Sequence, residues 1–215
     1  MPASKRRVSA ALALAAVVAS ACAPRLGPLP GAPVPVRVPA AELPAGHRRL
    51  VFRWELNAPD LVARGEGAAR LAAPDSARLD FFLANGNGSG AAVLIGDSLR
   101  LPAAGDAARF VPPAPMLWAA LGRLALPPGP DTAAALDGQT LRVDFGRPVA
   151  WRAAFAGSEL RRLEHVTGGR VREWVSRGPD GRIRYHQESD RRTLDLVITT
   201  SVETGPFDAS IWTFP

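Results

Sequence analysis

Cys22 is the residue whose type and position point to a covalent chemistry: acylation of a thiol at a signal-cleavage point. It is the only cysteine in the chain and directly follows Val17-Val18-Ala19-Ser20-Ala21. Upstream, Lys5, Arg6 and Arg7 form a basic start, and a weakly apolar run continues from Val8 to Ala21, the layout of a secretory signal. The run is too short to span a bilayer, which takes about 20 apolar residues. A lone thiol in an exported protein needs an explanation, and lipidation of Cys22 as the first mature residue supplies one without a disulfide partner. Three acyl chains, at about 0.8 kcal/mol per buried CH₂, would anchor such a protein firmly. Signals of this kind usually carry Leu three residues before the cysteine, where this chain has Ala19. Ala19-Ser20-Ala21 is also an A-x-A site, so plain secretion stays open beside lipidation. Ala23 stands where an Asp would favour inner-membrane retention in a Gram-negative envelope, which points to the outer membrane; a domain facing the periplasm is the expectation, with the leaflet left open. Arg6-Arg7 is followed by Val8-Ser9-Ala10, which does not continue a twin-arginine pattern.

The remaining chemistry-bearing residues give no enzyme signature. His47, His165 and His186 are far apart, and no H-E-x-x-H, C-x-x-C, G-x-S-x-G or P-loop spacing occurs. Glu188, Asp190 and Asp195 lie near His186, but they alternate with Arg191 and Arg192 and read as a solvated hairpin. No metal and no cofactor is implied, and no catalytic residue is assigned. Arg53 and Arg70 sit on strands whose other face is apolar. Each could hold an anionic headgroup or carboxylate at a cavity rim, or simply face solvent.

Charge and composition narrow the partners. The formal charge of +6 includes Lys5, Arg6 and Arg7 of the signal, and the remaining Arg and Asp/Glu residues are interspersed without a basic block. Lys5 is the only lysine among abundant Ala, Arg, Pro and Gly, so the basicity carries no argument for nucleic acid. About 190 residues remain after the signal, enough for one domain with a core.

The elements that must position these residues follow from patterning. Residues 1–21 read as the signal, 22–46 as the lipidated cysteine and a tether, and 47–215 as the folded domain. Pro24, Pro28, Pro30, Pro33, Pro35, Pro39 and Pro44 punctuate the tether. That density excludes a central strand or a helix and gives a semi-extended spacer. From Leu50 the chain alternates, with Leu50, Phe52, Trp54 and Leu56 on one face and Val51, Arg53 and Glu55 on the other. Further strands are expected near 62–72, 77–84, 91–95 and 98–101, the first with Gly65 and Gly67 either leaving room for a close approach or letting the strand bend. Asn85-Gly86-Asn87-Gly88-Ser89-Gly90 reads as a hairpin loop. After Pro112-Pro113, Leu117, Leu121 and Leu124 recur at helical spacing with Trp118 beside them, so a buried helix is expected over 116–126. Pro127-Pro128-Gly129-Pro130 stops it, and a shorter helical or coil stretch is expected at 132–136. Strands return near 140–145, 149–155, 159–166, 170–176, 182–187 and 193–203, with a last short one at 210–214. The fold class is mainly β with one helix: a long curved antiparallel sheet, a half-barrel with the apolar helix as its lid. Its interior is either filled or a hydrophobic cavity. Phe52, Trp54, Leu56, Phe81, Leu83, Leu117, Trp118, Leu121 and Trp151 are the candidate ligand surface for acyl chains, and the same residues would make a dry core. Trp174 and Trp212 read as braces of the sheet.

Gly65-Glu66-Gly67-Ala68-Ala69-Arg70-Leu71, Pro74-Asp75, Arg78-Leu79-Asp80-Phe81 and Ile95-Gly96-Asp97-Ser98-Leu99 resemble a known pattern. It is the G-x-G strand, proline turn, R-L-D strand and next hairpin of the Gram-negative lipoprotein-sorting proteins, the periplasmic chaperone LolA and the outer-membrane receptor LolB. The resemblance covers about residues 49–214 as an order of elements. It implies an eleven-stranded half-barrel covered by helices, a cavity for acyl chains, and a part in localising lipoproteins. Two positions depart from the pattern: Ala73 stands where the chaperone carries Arg, and the 85–90 loop has no apolar residue where the receptor exposes Leu. The expectation is an envelope lipoprotein that binds acyl chains or lipoproteins. The alternative is a structural or assembly lipoprotein with a filled core and a protein partner.

Overall fold

A computed structural model describes residues 24–86, 89–102, 111–127 and 131–214. The signal, Cys22, Asn87 and Gly88 of the hairpin loop, and Pro128-Gly129-Pro130 lie outside the described residues. Thirteen strands form one antiparallel sheet. They are β1 (Ala32–Val34), β2 (His47–Ala58), β3 (Leu61–Ala72), β4 (Ser76–Leu83), β5 (Ser89–Ile95), β6 (Ser98–Arg100), β7 (Thr132–Asp137), β8 (Thr140–Phe145), β9 (Trp151–Ala156), β10 (Glu159–Thr167), β11 (Arg170–Arg177), β12 (Arg182–Gln187) and β13 (Arg192–Thr204). Among the described residues one helix, α1 (Ala114–Leu121), lies between the β2–β6 meander and the β7–β13 meander. The spatial order β1-β7-β8-β9-β10-β11-β12-β13-β2-β3-β4-β5-β6 places the two meanders edge to edge. β13 and β2 pair from Thr193↔Asn57 to Thr204↔His47. β1 and β6 remain as edges, so the sheet curves into a half-barrel without closing.

Alternation decides which face turns inward. On β2, Leu50, Phe52 and Leu56 are buried while Arg49, Arg53 and Glu55 are exposed. The R-L-D stretch divides the same way. Leu79 enters the core, and outside it Asp80 receives Arg70 at 2.6 Å and Arg78 at 2.9 Å. Arg78 also donates to the Ile211 carbonyl at 2.8 Å, which holds the C-terminal tail against the sheet. Of the two readings of the G-x-G pair, the structure shows the close approach. Gly67 lies opposite Phe52 and Gly65 opposite Trp54, and a Cβ on Gly67 would overlap the Phe52 ring. The two rings therefore lie close over β3 and meet Phe81 edge-on, at 5.5 and 5.9 Å between centroids.

Helix α1 begins with prolines at its first positions, where the missing N–H costs nothing, and Met116 to Ala120 are all buried. It ends at Leu121 rather than 126. Gly122 adopts φ +97° and its N–H returns to the helix carbonyls, a glycine C-cap that competes successfully with the apolar run beyond it. Leu124 is thus outside the helix, and its N–H bonds the Ala41 carbonyl at 2.9 Å. Trp118 is fully buried, and its indole N–H donates to Gly96 at 2.8 Å, fixing the helix to the β5–β6 turn.

Other expectations need correction. Residues 132–136, expected as helix or coil, are strand β7. The alanines have helical propensity, but pairing with β8 and β1 overrides it. The expected strand at 210–214 is a 3-10 turn (Ala209–Trp212), because the Asp208 side chain accepts from the Ser210 N–H and caps it. The sheet has thirteen strands rather than eleven, and a single helix covers it among the described residues. The proline-rich segment does not stand free as a spacer. Leu26 N–H bonds Gly169, Val171 N–H bonds Pro24, and Gly27 accepts from Arg152. β1 pairs β7 at the sheet edge, where a proline is tolerated, and Ala41 and Leu43 are buried in the core.

Gly67→Ala should therefore lower the unfolding free energy by about 1–3 kcal/mol through overpacking against Phe52. Urea melts would measure it, and adding Phe52→Leu should recover part of the loss. An unchanged midpoint would remove the close approach as the reason for the glycine.

Candidate functional site

The concave face of β2–β4 and β11–β13 meets α1 across an apolar seam. Between them lies a gap of about 20 Å³. Phe52, Phe81, Leu117 and Leu121, all expected at the ligand surface, border it. They are joined by Leu50, Leu79, Val175, Ile183, Tyr185, Leu194, Leu196 and Ile198. The gap admits about one water-sized probe, whereas ligand pockets run to about 300–1,000 Å³. In this conformation the seam is closed and the side chains pack as a core.

The other expected residues do different work. Leu56 is buried away from the gap, and Trp118 holds α1 through Gly96. Trp151 stacks on His165 at 4.4 Å. Trp54 and Leu83 border a second space, an open groove of about 1,050 Å³ crossing β12, β13 and β2–β4. Four arginines (Arg53, Arg64, Arg182, Arg184) and four acids (Glu55, Glu66, Asp180, Asp195) line this groove, so it carries no net charge to attract an ion of either sign. Arg184 holds Asp195 at 2.6 Å, which raises the guanidinium pKa further. Arg53 faces this groove and Arg70 is bound to Asp80, so neither stands at the rim of the apolar gap. Trp174 braces the outside of the sheet as expected, under the Arg162 guanidinium at 4.1 Å. Trp212 meets Phe207 in the tail at 6.1 Å.

A buried polar group occupies the inward face beside the apolar gap. Glu173 accepts from the Tyr185 hydroxyl at 2.7 Å through one oxygen and meets His165 Nδ1 at 3.0 Å through the other. Sequence reading missed Glu173 and Tyr185. The signal was available: Val171, Glu173 and Val175 alternate inward, which puts a carboxylate on the apolar face. Around His186, Thr193 and Glu188 are the partners, at 3.0 and 3.5 Å, while Asp195 is held by Arg184 and Asp190 is exposed. Of the acids near His186 in sequence, Glu188 alone reaches it. No helix among the described residues is long and apolar enough to cross a membrane.

Burial, and then the neighbouring Glu173, push the Tyr185 phenol well above its ordinary value. The folded state therefore holds this proton more tightly than the unfolded state, whose phenol titrates near about pH 10. Stability from this group is complete below that pH and falls as pH rises above it. Tyr185 is the only tyrosine, so phenolate absorbance reports it alone. On raising the pH past about 10, the phenolate signal should stay absent until circular dichroism shows unfolding. A phenolate appearing in the folded protein would contradict the buried Glu173 pairing.

No protein-family model matches the sequence, and no curated protein matches it. The fold is similar to several solved structures, each with little sequence in common. A LolA superfamily protein from Nitrosomonas europaea aligns with a TM-score of 0.48 at 11% identity, over 82% of this chain and 94% of that one. A domain described as an outer membrane lipoprotein-sorting protein, from Vibrio parahaemolyticus, aligns with a TM-score of 0.47 at 4% identity, over 78% and 89%. A DUF1329 family protein from Desulfovibrio piger aligns with a TM-score of 0.47 at 8% identity, over 79% and 90%.

Proposed function

We propose that this protein is an outer-membrane lipoprotein, acylated at Cys22, that binds acyl chains between α1 and the concave sheet and serves in lipoprotein or lipid handling in the envelope. The observation that carries the reading is the seam itself, bordered by Phe52, Phe81, Leu117 and Leu121 from two separable elements. Lifting α1 exposes chiefly Met116, Leu117 and Trp118, at about 1.5–3 kcal/mol for each large side chain. An acyl chain replacing them gains about 0.8 kcal/mol per CH₂. Around ten methylenes therefore offset the opening, so occupancy should depend steeply on chain length. The closed gap of about 20 Å³ favours a second reading, a structural lipoprotein with a filled core and a protein partner.

Native mass spectrometry on protein purified from a bacterial envelope without detergent separates the two. A co-purified phospholipid or lipopeptide supports the carrier, and a clean apo mass that long-chain amphiphiles leave unchanged supports the filled core. Cys22→Ser should move the protein from the membrane fraction to the soluble periplasmic fraction. Retention of that variant on the membrane would overturn acylation as the anchor.

A further inference from the structure

The arginines on the sheet are mostly matched by carboxylates: Asp80 for Arg70 and Arg78, Asp144 for Arg152, Glu164 for Arg162, Asp195 for Arg184. Two beside the C-terminal end of α1, Arg177 and Arg123, have no carboxylate within ion-pair distance among the described residues. Arg177 lies on β11 two residues beyond Val175, on the same inward face, and opposite Ile183 on β12. Val175 and Ile183 both border the apolar gap. Across the seam the Arg177 guanidinium lies against Gly122, where a Cβ would collide with it, and Gly122 directly follows the gap residue Leu121. Arg177 is thus the next group outward from three lining residues. Its Nε is buried with no hydrogen-bond partner among the described residues, and so is Nη1 of Arg123, the residue that follows Gly122 in sequence. The Arg123 guanidinium lies 4.7 Å over the Trp118 ring, so its cation is held in place rather than trailing into solvent. Arg161 adds a positive charge near Arg177, and its own partner is Glu159 at 2.5 Å. Burial first, and Arg161 second, lower the Arg177 pKa, while Glu159 opposes them. The carbonyls at the end of α1 favour cations there, but they leave these buried N–H groups unfilled. Buried guanidinium donors of this kind suit an anion's oxygens, which can accept from several of them at once.

We propose that Arg177, with Arg123 and Arg161, receives a phosphate monoester at the mouth of the α1 seam. With Glu159 counted, the cluster carries two net positive charges, and a phosphate monoester carries about −1.5 to −2 near neutral pH. Guanidinium forks fit phosphate oxygens two at a time, which a carbohydrate hydroxyl does not reproduce. The headgroup role rests on the reading of the seam as an acyl site, because an amphiphile would place its phosphate here with its chain beneath α1. A free phosphate offers the same chemistry without the chain.

Isothermal titration of the full chain with dodecyl phosphate, dodecyl maltoside and inorganic phosphate tests this. Dodecyl phosphate should bind about tenfold or more tightly than dodecyl maltoside, and Arg177→Gln should erase that difference while leaving dodecyl maltoside binding as it was. Equal affinity for the two dodecyl compounds in the wild type, or a preference that survives Arg177→Gln, would overturn the site. If dodecyl maltoside does not bind but both phosphates bind equally, the anion site stands as one for free phosphate and the acyl seam fails. The headgroup comparison in the wild type needs no variant, and Arg123→Gln serves as the second variant if Arg177→Gln does not fold.

Discussion

The pairing of β13 with β2 is the constraint on which the half-barrel depends. It joins the last strand of the chain to the first long one, and a side-chain bond from Arg48 to Ser201 spans 153 residues of sequence across it. Without it the two meanders would each present an open edge, and neither could curve around α1. The register also aligns the inward residues: Leu194, Leu196 and Ile198 stand opposite Leu56, Trp54 and Phe52. The apolar wall facing the helix is thus assembled from both halves at once. Contacts so distant in sequence form only after a large loop closes, which makes this junction the entropically costly step of folding.

Much of this architecture was legible because inward and outward residues alternate with period two. The strands from β2 to β6 and from β8 to β13 follow their patterns closely, and the glycines opposite Phe52 and Trp54 mark the close approach they allow. What escaped was decided by interactions that pattern alone does not weigh. The glycine cap at Gly122 outweighed the apolar residues after it, and sheet pairing outweighed the helical propensity of the alanines in β7. Proline density in 24–46 excluded regular structure, yet it did not exclude a chain held by side-chain and edge contacts. At the candidate site, the residues at the ligand surface were found as a face but not sorted. Phe52, Phe81, Leu117 and Leu121 share the gap, whereas Trp118 and Trp151 are committed to hydrogen-bonding and stacking roles. No spacing rule separates a tryptophan that lines a space from one that pins a helix.

The inward face is also chemically graded. Around the gap it is wholly apolar, and Tyr185 belongs to the gap through its ring while its hydroxyl reaches Glu173. Past Val175, the same strand that carries Glu173 in one direction carries Arg177 in the other. A hydrogen-bonded buried carboxylate thus flanks one side of the seam, and guanidinium donors without a partner among the described residues flank the other. Such a gradient gives an elongated guest a preferred direction, because its polar end is accommodated better where donors await an acceptor.

The N-terminal strap has a mechanical consequence. Pro24 and Leu26 are hydrogen-bonded to the β10–β11 turn, and Cys22 precedes Pro24 by only two residues. A peptide spans at most about 3.6 Å per residue, so an acyl group on Cys22 would emerge within about 7 Å of that turn. The molecule would then be moored short, with little room to swing. The β10–β11 end would ride against the headgroups, and the β9–β10 turn at the other end of the strands would project outward. Lengthening the reach would first peel residues 24–34 from the sheet edge and, beyond that, withdraw Ala41 and Leu43 from the core, which couples the reach of the anchor to the packing of the domain.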